Sequence, residues 1–204
     1  MTEPPSPTVG ADQAVVVVGA DEQVDAGVDV DVGRWCRLAA DVLRAEGRRG
    51  ELTLTFVDRD EIALLNKEHM GHDGATDVLS FPLDDDDDDV DGAGDVGDVP
   101  VLVGDVVVCP AVARDQATEH AGSLDDELAL LVVHGVLHVL GHDHAEAAET
   151  VAMRAKELAL LQSHHWGGPP PRAFRQEHPL PDLVVDSPGI RDHGQPDSVT
   201  RVHR

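Results

Sequence analysis

The spacing of apolar residues changes several times along the chain, and each change marks an element. Ala14 to Val18 is a β-branched run of the length a buried strand needs. From Arg34 to Glu46 the period becomes helical. Trp35, Leu38, Ala39, Val42 and Leu43 share one face, Arg34, Arg37 and Arg44 the other, and Gly47 ends the run. Leu52 to Val57 alternates as a strand does, Glu61 to Glu68 predicts a short helix, and Val78 to Phe81 a strand stopped by Pro82. Val99 to Cys109 holds a further strand, interrupted at Gly104-Asp105. Pro110 suits the first turn of a helix and precedes one over Ala111 to Glu119.

The strongest helix begins at Ser123. Ser123 and Asp126 have capping-box spacing, and Asp125, Asp126 and Glu127 suit the positive end of the helix dipole. Leu128 to Val133 is apolar nearly all round, so this helix is buried, and Gly141 is where it stops. A last helix runs from about Ala145 to Leu161. The length suits one domain of ordinary size, and the chain shows no internal repeat. Residues 1–12 are an expected disordered tail and 13–166 the domain. Residues 167–204, which open on Gly-Gly-Pro-Pro-Pro, are an expected Pro-rich disordered tail.

Composition narrows the function. Lys and Arg number 15 against 40 Asp and Glu, for a formal charge of −25. The run Asp84 to Asp89, with Asp91, Asp95 and Asp98, predicts a solvated acidic loop over 84–98 between two strands. So much negative charge argues against nonspecific nucleic-acid binding, which works through Lys and Arg. Aromatics are only 2% of the chain, so base-stacking platforms are scarce. Arg34, Arg37 and Arg44, with Arg48 and Arg49 beyond, form the one evident basic stripe, and such a stripe is more often a solvated helix face. Cys36 and Cys109 lack CxxC spacing and are expected as small buried hydrophobes, which favours a reducing compartment. With no signal-peptide pattern and no membrane-length apolar run, the expected location is the cytoplasm.

The chemistry lies in His134-Gly135-Val136-Leu137-His138-Val139-Leu140-Gly141-His142-Asp143-His144. Residues four apart share a helix face, so His134 and His138 can point at one ion. Gly141 can turn the chain and bring His144 back as a third ligand. Three imidazoles leave one position of a tetrahedral zinc open, as catalytic sites do. The spacing matches the metzincin pattern H-E-x-x-H-x-x-G-x-x-H, except that Gly135 stands where the Glu would be. A zinc peptidase uses that Glu to move the proton of its water, so Gly135 weakens a peptidase reading. His142 could in principle close the site instead. Asp143 is either a partner fixing an imidazole tautomer or a cap of the turn.

The same segment resembles the H-G-x-L-H-L-x-G-[YH]-D-H signature of the YbeY family of metal-dependent endoribonucleases. Thr76-Asp77-Val78-Leu79-Ser80-Phe81-Pro82 resembles that family's T-D-V-L-S-F-P block, and Leu65-Asn66, Gly104-Asp105 and Leu124 to Glu127 follow in the expected order. The resemblance spans roughly Val15 to Leu161. It implies one Zn2+ per subunit on His134, His138 and His144, in a single-domain α+β fold whose small mixed sheet of about four strands is packed with helices, the metal helix among them. It further implies single-strand-specific cleavage in maturing the 3′ end of 16S ribosomal RNA and in ribosome quality control. The implied partners are the ribosomal RNA precursor, the small ribosomal subunit and ribosome-associated proteins; neither DNA nor membrane is expected. Asp143 and Ser80 are the candidates for a direct catalytic part, and Asp77 and Ser80 for lining the cleft. The family's aromatic-Arg pair ahead of T-D-V-L-S-F corresponds here to His69 and Met70. A thioether cannot clamp a phosphate, so Arg59, Lys67 or His72 serves instead, or activity is weak. The rival readings are a non-catalytic, zinc-stabilised ribosome-assembly factor and a zinc peptidase.

Overall fold

In the computed structural model, residues 15–24, 27–83, 101–142 and 147–176 are described. Four strands, β1 (Val15–Asp21), β2 (Gly50–Phe56), β3 (Val78–Pro82) and β4 (Leu102–Val108), form one sheet in the order β1-β2-β4-β3. β1, β2 and β4 run parallel, and β3 closes the edge antiparallel to β4, so the sheet is mixed as expected. The strand from Val99 to Cys109 is not broken at Gly104. Glu51 pairs with Leu102 but Leu52 with Gly104, so Val103 is one extra residue, a bulge within a continuous β4. Gly104 meets the bulge with φ 150°. A Cβ there would lie 2.5 Å from the Phe81 carbonyl, so only glycine fits.

Helix α1 (Val32–Ala45) buries Trp35, Leu38, Ala39, Val42 and Leu43, the face its periodicity predicts. Asp31 caps it by accepting from the Arg34 amide at 2.9 Å. A short α2 (Arg59–Leu65) runs into a wide π-type turn over Asn66–Met70. α3 (Pro110–Gln116) starts on its proline. The central helix α4 (Leu124–Val139) is capped by Ser123, whose hydroxyl accepts from the Asp126 amide at 3.1 Å. It ends where Gly141 turns left-handed at φ 82°. α5 (Ala147–Leu161) ends in a second π-type turn, Gln162–Trp166.

Strand alternation divides the core. Leu52, Leu54, Phe56, Val106 and Val108 join α1, α4 and α5 in the main cluster, while Leu79, Val107 and Cys109 meet Ile62 and Val112 in a second one. Cys36 is half-buried and Cys109 buried, and burial raises the pKa of both thiols. Among the described residues no helix is long and apolar enough to cross a membrane.

One expectation changes here. Residues 167–176, assigned to the disordered tail, pack on the domain. The Phe174 ring stands edge-on to Trp166 at 4.7 Å, and the Arg175 amide donates to the His120 carbonyl at 3.0 Å. The His165 side chain is buried and lies 3.0 Å from Asp126 Oδ1. Indole and imidazole rings hidden against a helix terminus hold the chain past the point where Gly and Pro announce a linker. Asp143, His144, the acidic loop over 84–98, residues 1–12 and residues 177–204 lie outside the described residues.

Candidate metal centre

α4 is buried at every position from Leu128 to Val139 except His134 and His138. A helix this apolar is stable inside the fold, and two imidazoles four apart form its single polar stripe. Their Nε2 atoms face each other at 3.1 Å, with ring centroids 4.5 Å apart and planes at 78°. Two nitrogens bound tetrahedrally at ~2.0–2.1 Å from zinc lie about 3.3–3.4 Å apart, so the pair is spaced to grip a cation between them.

The rear of the site comes from α5. Glu157 is 2% exposed, and its Oε1 accepts from His134 Nδ1 at 2.7 Å. That bond fixes the proton on Nδ1 and leaves the Nε2 lone pair directed at the facing imidazole, the arrangement of a ligating histidine held by a carboxylate. The sequence reading missed Glu157, although it left a signal: a carboxylate within the apolar stripe of Met153, Leu160 and Leu161. All three of those neighbours are buried in the main core cluster.

Gly135 explains how α4 is seated. A Cβ built on it would lie 2.6 Å from Val106 Cγ1 on β4 and 3.2 Å from Ser80 Oγ on β3. The position therefore faces the sheet, away from the imidazole pair, and glycine lets helix and sheet close together. Ser80 seals the contact by donating to the Gly135 carbonyl at 3.1 Å. Asp77 is buried, and its Oδ1 accepts from Thr76 Oγ1 and the Val78 amide, shaping the entry to β3.

Beyond Gly141, His142 turns toward α1. Its Nε2 is 3.2 Å from Glu46 Oε2, which also accepts from Lys156 Nζ at 2.6 Å. Burial resists ionisation of Glu46, but bonds from Lys156 and His142 outweigh it and hold the pKa below 4.5. A cleft of about 490 Å3 opens here, lined by Glu46, Arg48, Pro82, Leu83, Gly141 and His142. Among the described residues no group of three or more His, Cys, Asp or Glu forms a metal cage, and the expected third ligand His144 lies outside them.

The alternatives to the family arginine are engaged elsewhere or on the surface. Arg59 donates to the Ala111 carbonyl at 2.7 Å and pairs with Asp115. Lys67 pairs with Asp73 at 2.8 Å, both largely exposed. His72 is exposed. His69 stands edge-on to Phe81 at 4.9 Å, while Met70 is 43% exposed.

A family model described as endoribonuclease YbeY matches residues 20–165, more than half of the chain. This chain belongs to the YbeY family. A relative from Salinispora tropica bearing the name endoribonuclease YbeY is 45% identical over 144 residues, covering 68% of this chain and 91% of its own. One of the same name from Acidothermus cellulolyticus is 44% identical over 140 residues, covering 67% and 85%. The solution structure of TM1509 from Thermotoga maritima matches with a TM-score of 0.50 and 26% identity, over 74% of this chain and 90% of that one. The YbeY match takes in every element from α1 to α5 and both imidazoles and stops at His165, so the packed segment ending at Gln176 lies beyond it.

Proposed function

We propose that this chain is a zinc-dependent endoribonuclease that cuts single-stranded RNA. Its substrate is the precursor of small-subunit ribosomal RNA, at the 3′ end of 16S, and it works in the cytoplasm on the small ribosomal subunit and its associated proteins. Family membership and the names of the relatives support the endoribonuclease reading, a hydrolase of RNA phosphodiester bonds. The observation that carries the metal reading is the pair of facing Nε2 atoms 3.1 Å apart, backed by a buried carboxylate. His134, His138 and His144 would hold one Zn2+. When bound, the ion supplies Lewis acidity toward a phosphoryl oxygen and lowers the pKa of its water. Glu157 orients His134, Ser80 ties β3 to the ligand helix, and the cleft beside His142 has the volume of a small-ligand site, ~300–1,000 Å3. Asp143, next to the third ligand, is the candidate for proton handling.

The test joins metal analysis to cleavage of a single-stranded RNA, comparing wild type with His138→Ala. Wild type is expected to hold one zinc per chain and to cut, and the variant to lose both. Undiminished cleavage by metal-free His138→Ala defeats the mechanism.

Met70 in place of an arginine favours a second reading, a non-catalytic assembly factor stabilised by zinc. Arg34, Arg44, Arg59 and Lys67 are paired with acids, which supports it further. It predicts association with ribosome precursors that survives loss of all cleavage. A peptidase is disfavoured because position 135 faces the sheet, where no general base would reach the metal.

A further inference from the structure

Glu157 is itself held from behind. Gln176 Nε2 donates one hydrogen to Glu157 Oε2 at 2.5 Å and the other to the Arg154 carbonyl at 2.7 Å. Glu157 thus receives Gln176 on one oxygen and His134 on the other. A carboxylate can rotate about its last bond, and a bond to each oxygen stops that rotation with Oε1 aimed at His134 Nδ1. Gln176 reaches this place because the chain before it is fastened in three ways. Phe174 rests on Trp166, the Arg175 amide donates to the His120 carbonyl, and Ala173 lies against Gly122. A Cβ on Gly122 would come within 2.8 Å of Ala173 Cβ, so glycine makes room for this strap just ahead of α4.

We propose that Gln176 is a positioning residue for the metal ligand His134, acting through Glu157, and that residues 167–176 are the strap that seats it. The strap lies beyond residues 20–165, the span that the family model matches. The inference rests on the reading of His134 as a ligand. In that setting the strap sets how firmly the ion is held, and it couples packing of the C-terminal segment to metal retention.

The experiment uses the full chain and Zn2+ alone, with affinity read by competition against a chromophoric chelator and ligand geometry by the visible spectrum of the Co2+ form. Gln176→Leu removes both donors at nearly constant volume. It is expected to weaken zinc binding about 10-fold and to alter the Co2+ bands, in line with the effect of second-sphere partners. Gln176→Asn, one methylene short, is expected to give the same direction of loss with circular dichroism unchanged. In a Glu157→Ala background, Gln176→Leu is expected to add nothing. Wild-type zinc affinity in both Gln176 variants, or an equal loss with and without Glu157, overturns the inference. Wild-type protein that binds no zinc overturns the metal reading itself, and the inference with it.

Discussion

Gly135 is the residue whose character bears most directly on the site. Replacing it with alanine sets two effects against each other. Alanine favours a helix by roughly 1 kcal/mol over glycine, but its methyl meets a buried Val106 at 2.6 Å on a β-branched side chain with little freedom to move. Overpacking of this kind costs about 1–3 kcal/mol, so the steric effect wins. Gly135→Ala is expected to lose about 1 kcal/mol in urea unfolding; a gain of that size would show that the helix is not pressed on the sheet. At this scale the sequence displayed the two imidazoles plainly, because the 3.6-residue period alone makes them neighbours. It hid Glu157 and Gln176, whose meaning depends on a long-range contact that no local period records.

At the scale of elements, the N-terminus of α4 is where α4, α1 and the C-terminal turn meet. Burial opposes ionisation of Asp126. Hydrogen bonds from Trp166, Ser123 and His165 outweigh it and hold the carboxyl below its ordinary 3.8. A depressed carboxyl stabilises the fold fully above the unfolded pKa, and the effect fades as pH falls through the folded one. Asp126→Asn is therefore expected to cost about 1–3 kcal/mol at pH 7, with a much smaller difference from wild type at pH 3. Urea midpoints at the two pH values measure this, and an equal loss at both contradicts it. The helices were legible in advance because caps and amphipathic faces are local. β4 was read as interrupted because a lone Gly-Asp pair looks the same at a break and at a bulge. Pairing with β2 decides between them. Residues 167–176 escape a local reading for a related reason: Gly-Gly-Pro-Pro-Pro resembles a linker until Phe174 is seen to return to Trp166.

For the molecule as a whole, the charge of −25 is accompanied, among the described residues, by pairing of several cations. Arg34 grips Asp125 through both terminal nitrogens, Arg44 takes Asp41, and Lys156 takes Glu46. Surface pairs of this kind add little stability, but they leave fewer charges to displace counterions from RNA. The dependence of RNA affinity on salt is therefore expected to be shallow, equivalent to no more than about three phosphate contacts. Titration of a single-stranded RNA from low to moderate salt measures the slope, and a steep one would point to a basic face that these pairs do not occupy.

The packing at Gly135 also limits where this scaffold can go over evolutionary time. Peptide-cleaving zinc enzymes with the same ligand spacing carry a Glu at that position, about one or two nucleotides from a glycine codon, which makes the exchange look like an accessible step. Here a carboxylate installed there would be driven into β3 and β4 instead of toward the imidazole pair. Drift toward proteolysis would require rebuilding two strands first, so the shape of a sheet stands in the way of that change.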